Sequence, residues 1–426
     1  MWRALRSISQ LDELLDKHGV RGISIATIQP SPDGCSTVVP QCAGVASGAC
    51  AGSTEKMFDS TWLQIASLSK TLGTAFAIEY FTARGIPMDS PVNSLLRDAG
   101  ATFQLTPAPG NPTEWADQVT LAQLTNHTGL GMHYVNGVPL SEPMPPVLDL
   151  ITGTAETPAP YGYASIELTK EPGTAFGYSG GGFLVLQHLL EVYEGKPIAE
   201  LMAPFLQKAG ATVSLGMSFD TTSLAGKLYA EGYRDSGELV QDGRLQFPPL
   251  AAGGLGSPLA LAEWLRQLAL AYKRPEGCGG VSHETAQLML NPGPDLGSEA
   301  FMRAKMGHGV FIFDVAPAEV GQPPSLWMLH QAANDGFRGV YLVCFDGPDA
   351  AQGPRGFVVL SNGDNNAMLL NCEVSRLLLQ TAFEPPLQGL DWGRISSQAF
   401  LAEGIKQEEV VNMGLSELVL NAFIRA

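Results

Sequence analysis

Apolar and polar positions follow two rhythms along this chain, and the two are segregated. Near the start, Leu11, Leu14 and Leu15 recur at helical spacing before Gly19 ends the run. Gly22 to Ile28 (GISIATI) is short and rich in β-branched residues, which predicts a strand, and the strand-like stretch Cys35 to Val45 can pair with it as a hairpin. Strand patterns return far downstream, at Gly307 to Phe313, Leu326 to Leu329, Gly339 to Phe345 and Gly356 to Leu360. Between these ends, Ser67 to Phe81, Leu121 to Asn126, Gly182 to Tyr193, Ile198 to Leu206 and Leu259 to Tyr272 carry apolar residues three and four apart, separated by Pro/Gly-rich loops. The pattern predicts an α/β (α+β) fold in which an antiparallel sheet, flanked by helices and made from both chain ends, receives an inserted helical region. Its boundaries fall at 1–60 plus 300–389 for the sheet region and 61–299 for the helical one. A tail, 390–426, reads as one or two helices, over Phe400 to Met413 and Leu415 to Ile424. The loop from Gly131 to Gly173 is long enough to act as a lid or pocket wall.

Composition narrows the function classes. With 45% hydrophobic and 16% charged residues, plus 48 Gly and 30 Pro, the chain is neither disordered nor a coiled coil. A net charge of −17 repels a phosphate backbone, which argues against nucleic acid as a partner. No apolar run of about 18 residues exists to span a membrane. Asp12, Glu13 and Asp16 stand where the apolar stretch of a secretory signal would lie, so a cytoplasmic protein is expected. Six cysteines without a CxxC pair fit reduced thiols, and the spacing of Cys35, Cys42 and Cys50 matches no zinc signature. No metal or organic cofactor is implied.

Candidate chemistry begins with Ser-x-x-Lys, which occurs twice. Ser53 and Lys56 lie in a Gly-rich turn, whereas Ser67 opens the helix predicted to run to Phe81. Helix positions i and i+3 share a face, so Lys70 reaches the Ser67 hydroxyl from the next turn. Burial beside a stripe of Leu68, Leu72, Ala75 and Phe76 would lower the lysine pKa until a neutral amine can accept the serine proton. The plain alternative is a capping serine and a solvated lysine. A rival nucleophile stands in Gly177-Tyr178-Ser179-Gly180-Gly181, a G-x-S-x-G elbow with His330 and Asp335 or Asp314 downstream. An elbow must follow an apolar strand, and Leu168 to Gly173 (LTKEPG) reads as a loop.

The residues around Ser67, from Phe58 to Thr71, resemble the nucleophile segment of the serine β-lactamase and penicillin-binding-protein superfamily, in its class C and esterase branch. The likeness continues in order through Gly85 to Val92, Val119 to Leu130 (VTLAQLTNHTGL), Pro172 to Ser179 (PGTAFGYS), Ala252 to Leu255 and His330 to Gly339 (HQAANDGFRG), from about residue 20 to 385. That resemblance implies a β-lactamase/transpeptidase-like fold, a Ser67 nucleophile, and Lys70 and Tyr178 sharing the base and acid work through an acyl-enzyme. It places His330, Gln331 and Ala332 on a strand beside the serine, with the N–H groups of Ser67 and Ala333 as the oxyanion hole. His127 and His133 read as packing or loop residues, and Phe337 and Arg338 as either pocket lining or ordinary core and surface.

Two departures bear on substrate. The usual Tyr-x-Asn is Tyr178-Ser179-Gly180 here, and His330 stands where a lysine would hold a substrate carboxylate. Both point from β-lactams towards a small ester, thioester or amide as acyl substrate. An acyltransferase or thioesterase acting on carrier-bound acyl groups is a second reading, and a non-catalytic binding protein of the same fold is a third. The tail could cap the fold or join a homodimer.

Overall fold

The computed structural model describes residues 8–47, 54–154, 163–221, 226–302, 304–316 and 321–381. Cys50, Ser53 and the helical tail expected beyond 390 lie outside them.

Eight strands form the central sheet: β1 (Gly22–Gln29), β2 (Thr37–Ser47), β3 (Glu55–Lys56), β4 (Lys305–Met306), β5 (Phe311–Val315), β6 (Ser325–Asn334), β7 (Phe337–Asp346) and β8 (Arg355–Ser361). Their order is β4-β5-β6-β7-β8-β1-β2-β3, antiparallel throughout. The chain ends meet where β1 pairs with β8, Ile25 facing Val359. Alternate residues serve opposite faces. Ile23, Ile25, Leu342 and Val359 pack with α1 (Ile8–His18) and α5 (Asn365–Thr381), whereas Ala26, Ile28, Val343 and Val358 join the larger core on the other side. Because both faces are covered, strands such as GFVVL are apolar at every position rather than at every second one.

Helices α2 (Ser69–Thr82), α3 (Gly180–Glu194) and α4 (Pro258–Lys273) belong to the larger core. Helix α4 crosses the sheet against β1, β7 and β8, although it comes from the middle of the chain. The periodicity around Leu72 suggests one buried stripe on α2, but every residue from Ser69 to Ile78 is buried. A helix that is apolar or small all round lies inside the core, and Gly73 lets Leu250 pack close against it.

Two local expectations change. Gly307 to Val310 is a turn, with Gly309 at φ +69° where side chains are disfavoured, so β5 starts only at Phe311. The 131–173 segment is not featureless: it carries the helix Val147–Thr152 and the short strands Val138–Pro139 and Glu167–Leu168, the first of which pairs with Leu245–Gln246. Among the described residues no helix is long and apolar enough to cross a membrane.

Candidate active site

Ser67 sits in a single tight turn, Ala66–Leu68, just ahead of α2 rather than on its first residue. Ala66 precedes it at φ +45°, a left-handed conformation that costs a non-glycine residue about 1–2 kcal/mol. Such strain persists only where surrounding bonds over-determine it. Here Ile65 N donates to Gly254 O at 3.0 Å, and Leu68 N donates to Ile65 O at 3.0 Å. The capping alternative falls, since the cap residue of α2 is Leu68 and no side chain caps the helix. Lys70, in its first turn, is 1% exposed and donates to Ser67 Oγ at 3.1 Å and to Ala251 O at 2.6 Å. Neither partner is charged, and burial pulls the amine from 10.5 down to about 7.

Tyr178 ends the loop before α3. Its phenol hydrogen-bonds Ser67, while burial pushes its pKa above the ordinary phenol range. Lys70 Nζ stands 5.0 Å from the centre of its ring. His127 packs against that ring, centroids 4.5 Å apart and planes tilted by 39°, and accepts the Ser179 N–H on Nδ1 at 3.0 Å, which leaves the proton of the neutral imidazole on Nε2. Burial holds His127 well below its usual pKa, so it backs Tyr178 as an uncharged plate. Ser179 is the N-cap of α3, its hydroxyl accepting Gly182 N–H at 3.2 Å. Irregular chain rather than a strand precedes it, so the elbow reading fails on its required strand, and of its two candidate aspartates Asp335 is bound to Arg234 at 2.6 Å.

Strand β6 forms the opposite wall and packs against the Ser67 turn. β5 accompanies it only as far as Phe311↔Leu329, so His330 to Asn334 have β7 on one side and an open edge on the other. Asn334↔Phe337 closes a two-residue turn as a bonded pair, and antiparallel pairs alternate, so Gln331 and Ala333 fall outside the ladder. Their N–H and C=O groups face the open edge, where the His330 ring meets Gln331 O at 2.8 Å. His330 is buried mid-strand beside Tyr178 and Phe311. Burial, reinforced by Lys70, drops it to about 3, so it is neutral and offers a carboxylate no charge.

Ser67, Lys70, Tyr178, His330, Gln331, Ala332 and Ala333 line one cavity of about 620 Å³. Its other walls are largely apolar, from Val135, Phe247, Phe301 and Phe311. The charged lining groups are already paired: Arg234 lies 2.6 Å from Asp335, and Arg338 lies 3.3 Å from Asp364. Phe337 is buried core, while Arg338 reaches the cavity. Arg234, Phe301 and Asp364 lie in no motif, whereas Gln64 and Asn334 fall inside the family-like segments Phe58 to Thr71 and His330 to Gly339 without being singled out there. Among the described residues no cluster of three or more His, Cys, Asp or Glu could hold a metal.

An antiparallel sheet with a buried Ser-x-x-Lys pair at the foot of a central helix defines a serine hydrolase scaffold of the β-lactamase and penicillin-binding-protein class. The family model described as Beta-lactamase matches residues 9–377, and the chain belongs to that family. Among solved structures, the octameric penicillin-binding protein homologue from Pyrococcus abyssi is 21% identical over 93% of this chain and 81% of its own, with TM-score 0.59. D-amino acid amidase from Ochrobactrum anthropi SV3, complexed with L-phenylalanine amide, is 16% identical over 93% and 99%, with TM-score 0.58. SurE with D-Leu is 19% identical over 87% and 73%, also at 0.58. At these identities the likeness is one of fold. No curated protein matches in sequence.

Proposed function

We propose that this protein is a serine hydrolase of esterase or amidase type, working through an acyl-Ser67 intermediate on a small uncharged ester, thioester or amide. The observation that carries the reading is the fully buried Lys70 amine, 3.1 Å from Ser67 Oγ and brought to about 7. Neutral Lys70 takes the Ser67 proton as Oγ bonds to the substrate carbonyl. The N–H groups of Ser67 and Ala333 receive the oxyanion, where one donor is worth roughly 10²–10³ in kcat. Tyr178, kept protonated by burial, gives its proton to the leaving oxygen, sulfur or nitrogen and regains one from Lys70. Water then cleaves the acyl-enzyme by the reverse transfers.

Two features favour an uncharged acyl group. His330 carries no charge, and each cavity arginine already faces an aspartate. The D-amino acid amidase structure with a phenylalanine amide makes amides with an apolar, uncharged acyl group sensible first candidates beside p-nitrophenyl esters. Transfer of the acyl group to an amine or alcohol is distinguished from hydrolysis by product mass, and exclusive free acid rules transfer out. The test of the site is a fluorophosphonate read by intact mass. One adduct, absent from Ser67→Ala, is expected; no adduct, or an unchanged one in Ser67→Ala, overturns the assignment and leaves the non-catalytic reading.

A further inference from the structure

Neither Asn334 nor Gln64 enters the proton transfers, yet together they join the walls that do. Gln64 ends the short strand Leu63–Gln64, and only Ile65 and the strained Ala66 separate it from Ser67. Asn334 follows Ala333 on the open edge of β6. Asn334 Nδ2 donates to Gln64 Oε1 at 2.8 Å and to Ala252 O at 3.0 Å, so both its hydrogens are used. Gln64 Nε2 in turn donates to Leu245 O, two residues before Phe247 of the cavity wall. Ala252 adjoins Ala251, whose carbonyl anchors Lys70. The two amides are 4% and 5% exposed, so water cannot take over these bonds.

We infer that the Asn334–Gln64 amide pair is a positioning clamp that sets the separation between the backbone N–H of Ser67 and that of Ala333, and thereby the gap in which the substrate oxygen gains its charge. This rests on the acyl-Ser67 reading. The two donors belong to elements far apart in sequence, the Ala66–Leu68 turn and β6, and the amide bond crosses between them next to both. Hydrogen bonds suit the task because they fix direction as well as distance. An apolar contact would let the strand edge slide, and a misplacement of about 1 Å can cost about 10²-fold in rate.

The test is Asn334→Ala, with p-nitrophenyl ester turnover compared across wild type, Asn334→Ala and Ser67→Ala. The clamp predicts kcat lower by about 100-fold with KM within about threefold. Affinity for a phenylboronic acid, which occupies the oxyanion gap, should fall in step with kcat/KM. The acid limb of the rate profile should stay at about 7, because Lys70 remains buried. A kcat within about threefold of wild type overturns the clamp. So does a loss accompanied by a limb moving up towards the ordinary lysine value near 10.4, which would mean that water had entered a loosened core. If Asn334→Ala does not fold, Gln64→Asn shortens the reach by one methylene; at least a tenfold drop in kcat is expected, and full activity overturns the inference. Turnover surviving in Ser67→Ala sinks the acyl-Ser67 reading itself, whereas an inactive Ser67→Ala beside a fully active Asn334→Ala sinks the clamp alone.

Discussion

Below neutral pH, acylation of Ser67 should fail because Lys70 becomes charged. Burial moves its amine from 10.5 to about 7. At roughly 1.36 kcal/mol per pH unit, that is a penalty of about 5 kcal/mol against the ammonium. At pH 7 about half the molecules hold a neutral Lys70, where an unshifted lysine would offer about 3 in 10,000. The rate of Ser67 modification by a fluorophosphonate, followed by intact mass from pH 5 to 9.5, should rise about tenfold per unit up to about pH 7 and level off by about pH 8.5. Other groups near the site do not reproduce that limb. His330 lies at about 3, and burial depresses His127 well below its usual value. Lys170, at about 8, donates to Ala175 O on the loop before Tyr178 and does not line the cavity. Lys170→Gln should therefore leave the limb in place. A flat profile, a limb centred near pH 5, or a limb that moves with Lys170→Gln refutes Lys70 as the base.

The same burial sets a stability signature. Since the folded-state pKa of Lys70 is depressed, the unfolded chain binds more protons between about pH 7 and 10.5, and stability rises with pH across that window. Lys70→Met removes this contribution, so between pH 7 and 9 wild type should gain about 2 kcal/mol relative to the variant, read by urea denaturation; parallel curves refute it. Tyr178→Phe keeps the ring against His127 and removes the proton donor, so kcat should fall about 10²-fold with the acid limb unmoved, in stopped-flow ester kinetics. Asp364→Ala strips the counter-charge from Arg338 and the acceptor from Gly336 N–H, 2.7 Å away, and should cost about 3 kcal/mol in denaturant unfolding; a loss under about 1 kcal/mol refutes it.

How far the sequence showed this depended on what each residue meets. Strands β1, β7 and β8 are legible because both faces are buried and the letters GISIATI, GVYLVCF and GFVVL are dominated by β-branched, aromatic and other apolar residues. By its pattern alone β6 reads only as far as Leu329, and it is the family resemblance that places His330, Gln331 and Ala332 on a strand, since His330 to Asn334 are polar or small where they line the cavity and lack β5 as a neighbour. Polarity there marks the site rather than the end of the strand. Ser67 and Lys70 are visible as a spacing, and the apolar stripe beside them predicts a buried Lys70, but the completeness of that burial is not legible. It follows from packing on every side of α2, which a stripe of one helix cannot reveal. Phe301 and Arg234 reach the cavity from segments without any motif, so their place there depends on tertiary contact alone.

In the proposed mechanism, depth also explains why Lys70 needs no counter-charge. A carboxylate beside Lys70 would stabilise the ammonium and return its pKa towards the ordinary value. The hydrogen-bond partners of its Nζ are instead the Ala251 carbonyl and the Ser67 hydroxyl, the nucleophile of the proposed mechanism. The charges that the cavity does contain are joined to one another at the β6–β7 turn, where Asp364 holds both Arg338 and the Gly336 N–H. The site thus separates two duties. In the proposed mechanism, paired charges fix the turn next to Ala333, while the hydrogen-bond partners of Lys70 are uncharged. Introducing a carboxylate into that pocket, as in Phe247→Asp, should move the acid limb upward from about 7 and lower the rate at neutral pH, while leaving the plateau at high pH nearly intact. A limb that stays in place would show that solvent, not burial, controls the lysine.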